Sequence, residues 1–386
     1  MTGEVEKAKT RPGSALHFPI EMDAPIVFRA NEQFEFSSVH LSEPSADEVL
    51  VKIVATGLCH TDLSAMAGEL PTALPALLGH EGAGIVEMVG SEVSGIEPGD
   101  HVVLSYLSCG HCRPCRSGHS SACIEFGPLC FGGARPDGSH AVQPADGSSL
   151  SDRFFGQSSL APFAIAHQRC AVKVPNDVPL ELLGPLGCGI MTGAGTVWNA
   201  LAVKPGSSFA VFGSGAVGLS AAMAARVAGA TTIVCVDTVK SRLDLAMELG
   251  ATHVVDGRSE DVAEQIRTIT RGGADTALDT TGRADVLGNA IQALGSKGSL
   301  AVVASSDAAG VPTLPLMDMI MGSKTIQGVV EGGTSAQDVV PKLIDLYLAG
   351  RFPFDRLIKF YSADQINEAA QDSLSGKVIK PVIRFG

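Results

Sequence analysis

The chain is predicted to be an α/β protein with a β-rich first half and a doubly wound parallel sheet in its second half. Three observations predict this. Residues 48–104 hold β-branched runs bounded by glycine and turn residues. Residues 207–304 alternate short apolar runs with helical stretches. A GSGAVG turn stands at the first strand–helix junction of that alternation. Alternation of this kind builds a parallel sheet with helices on both faces.

Taken in order, EVLVKIVATGLC (48–59) and EGAGIVEMVG (81–90) read as strands, and IEPGDHVVL (96–104) as a Pro-Gly-Asp turn entering a strand. Residues 132–153, rich in Gly, Pro, Ser and Asp, read as a long surface loop. Near residue 190 the pattern changes. Strands are expected at 207–213, 231–237, 252–256, 276–282 and 297–304, with helices at 216–230, 239–251 and 260–270. TIQGVV, an amphipathic AQDVVPKLIDLYLAG and an end strand IKPVIRF follow residue 325. No internal repeat or low-complexity tract appears.

The 386 residues are 45% hydrophobic and 18% charged, which is globular and long enough for two or three domains. Net charge is −13, with 41 acids against 28 bases and no basic block, so no nucleic-acid partner is expected. The first 18 residues lack a signal-peptide core, and no run of 18 apolar residues offers a membrane span. A cytoplasmic chain with reduced thiols is the expectation.

Four of the nine cysteines crowd into CGHCRPCRSGHSSAC. Cys109, Cys112, Cys115 and Cys123 follow C-x2-C-x2-C-x7-C. That spacing lets one loop wrap a tetrahedral zinc at about 2.3 Å per sulfur. Four thiolates leave no open position, so the ion would be structural, holding a lobe that lacks its own core. A chain of this size needs no disulfides to fold. His111 and His119 read as solvent-facing, and Cys130, Cys170 and Cys235 as small buried hydrophobes.

A second set is dispersed: Cys59 in GLCHTD, His80 and Glu81 in GHEGAG, and Cys188 in LGCGIMTGAG. All are flanked by glycine or turn residues. Two cysteines and one histidine leave a fourth tetrahedral position open, the arrangement of a catalytic zinc.

Gly213, Gly215 and Gly218 form G-x-G-x-x-G after a strand and at the start of a helix, with Val217 in the same turn. Asp237 closes the next predicted strand. In a βαβ unit this pattern binds a dinucleotide: the glycines admit a pyrophosphate and the helix N-terminus offers it amides. Asp237 would accept both adenosine ribose hydroxyls and repel a 2′-phosphate, favouring NAD. Arg242 would flank the adenosine, or else be a solvated helix-face charge.

Together GHEGAGIVEMVGSEV, PGDHVVL, the four-cysteine loop, LGCGIMTGAG, GSGAVG and INEAAQDSLSGKVIKPVI resemble the zinc-dependent alcohol dehydrogenases of the medium-chain dehydrogenase/reductase family. The resemblance runs from about residue 24 to the end. GLCHTDLS and DRFFGQSSLAPFAIA look most like the aryl- and benzyl-alcohol dehydrogenase branch. It implies a GroES-like catalytic domain, 1–189 with 325–386, and a Rossmann NAD-binding domain, 190–324, with the active site in the cleft between them. It also implies a homodimer or homotetramer.

By position, Cys59, His80 and Cys188 would hold the catalytic zinc, with Glu81 beside them or a transient ligand. Thr61 would touch the substrate oxygen, His60 the cofactor pyrophosphate, and Thr192 would lie near the nicotinamide. Liver-type relatives carry histidine five residues after the first zinc cysteine, where this chain has Ser64. The implied reaction interconverts a primary alcohol, aryl or allylic such as benzyl alcohol, and its aldehyde with NAD, using two zinc ions per chain. Tyr106, Leu129, Phe154 and Phe155 would line an apolar slot or simply pack. The alternatives are glutathione-dependent formaldehyde oxidation, general aliphatic alcohol oxidation, and a non-enzymatic zinc-binding module.

Overall fold

The computed structural model describes residues 8–11, 16–304 and 314–385. The chain divides into two units, Met1–Cys188 with Leu357–Gly386, and Gly189–Arg356.

The first unit begins with β1 Lys9–Thr10, β2 Ile20–Val27, β3 Glu35–Leu41 and β4 Glu48–Gly57, followed by the short helix α1 His60–Met66. β5 Ala76–Leu77, β6 Gly82–Val89 and β7 His101–Leu104 come next. Then follow α2 Arg113–Arg116, α3 Phe126–Phe131, β8 Val142–Pro144, β9 Phe163–His167 and β10 Ala171–Val174.

The second unit holds α4 Gly189–Gly195, β11 Ser208–Phe212, α5 Ala216–Ala228, β12 Thr232–Asp237 and α6 Lys240–Leu249. It continues through β13 His253–Asp256, α7 Val262–Ile269, β14 Ala274–Asp279, α8 Ala284–Ala293 and β15 Leu294–Val302. α9 Leu316–Gly322, β16 Thr325–Gly328 and α10 Ala336–Leu348 complete it. β17 Ile358–Ser362, α11 Ile366–Leu374 and β18 Lys380–Arg384 then rejoin the first unit.

Strand β4 organises the first unit because both of its faces are apolar. Leu50 packs with Ile26, Val39 and Leu41 on one side, while Val49, Val51 and Ile53 pack with Val86, Val102 and Leu104 on the other. Period-two alternation puts neighbouring residues on opposite faces, and covering both explains the nearly unbroken apolar run. The sheet runs β10-β7-β6-β4-β18-β17, with β9 also on β4 and β1 on β6. A second sheet runs β5-β2-β3-β8.

The stretch 132–153 is mostly irregular and exposed at 136–139 and 145–149, as expected of a surface loop, but it is also anchored. Its β8 pairs with β3, and buried Asp152 accepts the Ala141 and Val142 N–H groups at 2.5 and 2.6 Å. Glu48 bridges Arg135 at 2.8 Å and Arg153 at 3.0 Å.

In the second unit six parallel strands run β13-β12-β11-β14-β15-β16. Phe212, Val234 and Val236 pack with Ile266, Ala290 and Ile291 on one face. The chain moves outward from β11 to β13 and then returns to β14. The reversal between β11 and β14 is the switch point where open α/β sheets receive ligands. The strand expected at 276–282 ends at Asp279, where the Thr280 hydroxyl turns back to donate to the Phe212 carbonyl at 2.9 Å. Residues 325–356, grouped by sequence with the catalytic domain, lie in the second unit, because β16 extends the parallel sheet beside β15.

Candidate active site and metal centres

Cys59 caps α1 directly after β4. Asp62 makes that turn rigid: one carboxylate oxygen accepts the Cys59 N–H at 2.9 Å, the other the Gly79 N–H at 2.9 Å. The same Oδ1 lies 3.1 Å from His80 Nδ1. Asp62 and His80 are fully buried. A carboxylate accepts only, so His80 carries its proton on Nδ1 and presents Nε2 outward. That Nε2 is buried and has no hydrogen-bond partner.

Cys59, His80, Glu81 and Cys188 each offer one ligand atom, all within 4.8 Å of one another. Cys188 follows the tight turn Gly184–Gly187, whose last carbonyl accepts the Ser105 hydroxyl at 2.6 Å. The Glu81 carboxylate is paired with Lys380 at 2.8 and 3.0 Å, and both are buried. Gly57 makes room for it, since a Cβ there would stand 1.9 Å from Glu81 Oε2. Thr61 Oγ1 lies 3.7 Å from the Cys59 sulfur. His60 is exposed, and the Ser64 hydroxyl donates to Glu69 at 2.9 Å.

The electrostatics follow from this packing. The Cys188 thiol hydrogen bond and the Lys380 charge hold Cys59 well below the usual thiol range, against burial. Burial disfavours a charged His80, but the adjoining Asp62 carboxylate outweighs it and holds the imidazole well above its usual value. Burial pushes Glu81 up to about 7, against the pull of Lys380. An orphaned imidazole nitrogen facing two thiols suits a borderline-soft tetrahedral cation such as zinc.

The four-thiol loop fits a closed site. Sulfurs of Cys109 and Cys115 are 3.9 Å apart, and those of Cys112 and Cys123 are 4.0 Å apart. A tetrahedron with arms of about 2.3 Å has edges of about 3.8 Å, whereas a disulfide spans about 2 Å. The Cys109 and Cys112 N–H groups each donate to a loop sulfur at 3.3 Å. Backbone N–H groups of Cys115 and Ile124 pull the Cys112 thiol down to about 6. His111 turns its Nδ1 to the Cys109 carbonyl at 3.0 Å, outside the sulfur cluster. All nine cysteines are free thiols.

In the second unit the glycine turn has the close contacts a dinucleotide loop needs. A Cβ on Gly218 would stand 1.8 Å from the Gly213 carbonyl oxygen, whereas one on Gly215 would meet nothing within 4 Å. Val217 lies in the first turn of α5. Asp237 closes β12 and accepts the Ser214 N–H at 2.7 Å. Arg242 lies 3.9 Å from Asp237. Thr192 is buried in α4 and donates to Glu331 at 3.4 Å. These features fit a nucleotide with a ribose and a phosphate bridge.

Sequence reasoning missed Asp62, Lys380 and Gln157. Gln157 donates to the His80 carbonyl at 3.0 Å and to that of Ser105 at 2.9 Å. Asp62 carried one available signal, a carboxylate three residues after a cap position.

Residues 45–176 match the alcohol dehydrogenase GroES-like domain, and residues 216–349 match the zinc-binding dehydrogenase domain. A geraniol dehydrogenase of Castellaniella defragrans is 46% identical over 95% of this chain and 98% of its own length. The chain belongs to the zinc-dependent alcohol dehydrogenases of the medium-chain dehydrogenase/reductase family, and is an oxidoreductase with a GroES-like unit and a Rossmann unit.

Among solved structures it is similar to benzyl alcohol dehydrogenase from Acinetobacter calcoaceticus. That match has a TM-score of 0.92 and 46% identity over 95% of this chain and all of that one. A zinc-binding-domain alcohol dehydrogenase from Burkholderia ambifaria has a TM-score of 0.93 and 52% identity, over 95% of this chain and 99% of that one. No described helix is long and apolar enough to cross a membrane.

Proposed function

We propose that this enzyme interconverts aryl or allylic primary alcohols and their aldehydes with NAD. Cys59, His80 and Cys188 hold a catalytic zinc, with Glu81 beside it, and Cys109, Cys112, Cys115 and Cys123 hold a structural one. The observation that carries this reading is the buried, unpartnered His80 Nε2 facing two thiols. The geraniol and benzyl alcohol dehydrogenases among its relatives support the allylic and aryl class.

When bound, zinc polarises an alcohol oxygen and lowers its pKa, and nicotinamide takes the hydride. The chain's own residues do the rest. Lys380 neutralises Glu81, so two thiolates and a neutral imidazole are the charges that face a dication. Thr61 Oγ1, beside Cys59, would take the alcohol proton as it gives up its own hydroxyl proton toward the cofactor ribose. The Ser64 hydroxyl donates to Glu69, and His60, exposed, would meet the cofactor pyrophosphate. Gly213, Gly215, Val217 and Gly218 admit the pyrophosphate, Asp237 takes the ribose and Thr192 lines the nicotinamide site.

A second reading, NADP, has one observation in its favour: Arg242 beside Asp237 offers a guanidinium for a 2′-phosphate. The assembly is a homodimer or homotetramer, formed over the exposed apolar face of α9. A reducing cytosol suits nine free thiols.

Zinc-loaded enzyme is assayed for NAD and NADP reduction with benzyl, cinnamyl, allylic and aliphatic alcohols and with the glutathione–formaldehyde adduct. Aryl and allylic alcohols are expected to give the highest kcat/KM. Cys59→Ser and Cys188→Ser should each lower turnover about 100- to 10,000-fold. Full turnover by either variant with that zinc absent would overturn the proposal.

A further inference from the structure

Residues 153–159 follow a backbone path that residues with a Cβ seldom take. Phe155 has φ 53° and ψ 23°, and Ser158 has φ 49°. Left-handed backbone crowds Cβ against the following carbonyl, and a phenylalanine has no short polar group to offset this. Such a conformation persists only where its surroundings over-determine it.

The surroundings here do so. The Ser158 hydroxyl donates to the Leu77 carbonyl at 2.6 Å and accepts the Phe154 N–H at 2.9 Å. The Ser159 N–H donates to the Gly79 carbonyl at 2.9 Å. Gln157 donates to the His80 carbonyl. Arg153, buried, donates to the Ile165 carbonyl at 2.7 Å and pairs with Glu48. The strained segment is thereby fastened to residues 77–80, the stretch that ends in His80.

The strain places one ring. Phe155 lies against the His80 imidazole, centroids 4.5 Å apart and planes 24° apart, while Phe154 meets the same imidazole edge-on at 5.4 Å. Phe131 backs Phe155 at 5.3 Å and Phe126 at 6.0 Å, both nearly perpendicular. Asp62 fixes the imidazole in its own plane through Nδ1. A hydrogen bond at one edge leaves tilt out of that plane unrestrained, and a ring held flat against the face restrains it.

We propose that Phe155 is a positioning residue for His80: its left-handed backbone sets the ring that holds Nε2 on the two thiols. This rests on reading Cys59, His80 and Cys188 as the zinc site.

The test measures zinc release from the loaded enzyme to a coloured chelator, in wild type, Phe155→Gly and Phe155→Leu. Glycine adopts the same φ without strain, so that variant removes the side chain while allowing the same backbone path. Zinc in the four-thiol loop is an internal reference. The glycine variant should release the exchangeable zinc roughly 10- to 100-fold faster, as for other groups that orient a metal ligand. The leucine variant, which keeps bulk but not the flat ring, should fall in between. Cobalt placed at the exchangeable site should show shifted visible bands in both. Release at the wild-type rate in the leucine variant overturns the proposal, and this arm decides even if the glycine variant does not fold. An enzyme with no exchangeable zinc overturns the metal reading instead.

Discussion

Both oxygens of Asp237 are engaged, Oδ2 by the Ser214 N–H at 2.7 Å and Oδ1 by the Val239 N–H at 2.8 Å. Each carboxylate oxygen has two lone pairs, so each keeps one for a ribose hydroxyl. Asp237→Ser should lower kcat/KM for NAD by roughly 10- to 100-fold, the worth of a hydrogen bond to a charged group. It should also raise NADP use relative to NAD. An unchanged ratio in steady-state kinetics with both nucleotides removes Asp237 from cofactor selection. At this scale the residues that the structure brings together, Cys59, His80 and Cys188, were legible, because they sit in glycine-flanked turns with metal-type chemistry. Their supports were not. Lys380 opens the strand KPVIR, its partner Glu81 lies 299 positions away, and no spacing or period encodes such a pair. Phe155 reads as one more core aromatic until its backbone angle is seen.

In the second unit β11, β12, α5, α6 and α7 follow their apolar periodicity, because these strands are buried and each of these helices buries one face. The segment 132–153 is the irregular surface stretch its composition signals, but its anchoring was not legible. Its Gly, Pro, Ser and Asp content signals loop, whereas its anchors are Arg135 and Arg153 on Glu48, and Glu48 lies 87 positions before Arg135. Burial pushes the Glu48 carboxyl up, but the Arg135 hydrogen bond and the Arg153 charge outweigh it and leave it below the usual range. A folded-state value depressed in this way stabilises the protein above the unfolded value of about 4.3. That stability is lost as pH falls through the lower folded value. Glu48→Gln leaves the buried Arg153 and the half-buried Arg135 guanidinium groups short of an anion. It should destabilise the fold by about 3–5 kcal/mol near neutral pH, with the gap to wild type closing in acid. Urea denaturation across the acid range checks this, and a gap independent of pH refutes it.

For the whole molecule, α9 stands out: Leu316, Met317, Ile320 and Met321 are 63%, 70%, 69% and 77% exposed. It stands next in the chain to β16, whose outer backbone groups edge the six-stranded sheet. An exposed apolar face beside an open strand edge favours association with a second copy. The double change Met317→Glu, Met321→Glu should reduce the proposed dimer or tetramer to single chains by light scattering. An unaltered mass excludes α9 as the interface. The two-unit plan was legible from the switch in periodicity near residue 190. The return point was not, since TIQGVV suits either sheet and only pairing with β15 assigns it. The insertion of one unit within the other also orders events on the ribosome. β18 lies between β4 and β17 and brings Lys380 to Glu81. All of Gly189–Arg356 is translated before that strand exists. Until then Glu81 lacks its Lys380 ammonium and the end of β4 at Ala55, Thr56 and Gly57 lacks its β18 partner, so a nascent chain stalled before residue 380 carries the Glu81 carboxylate unbalanced by that cation.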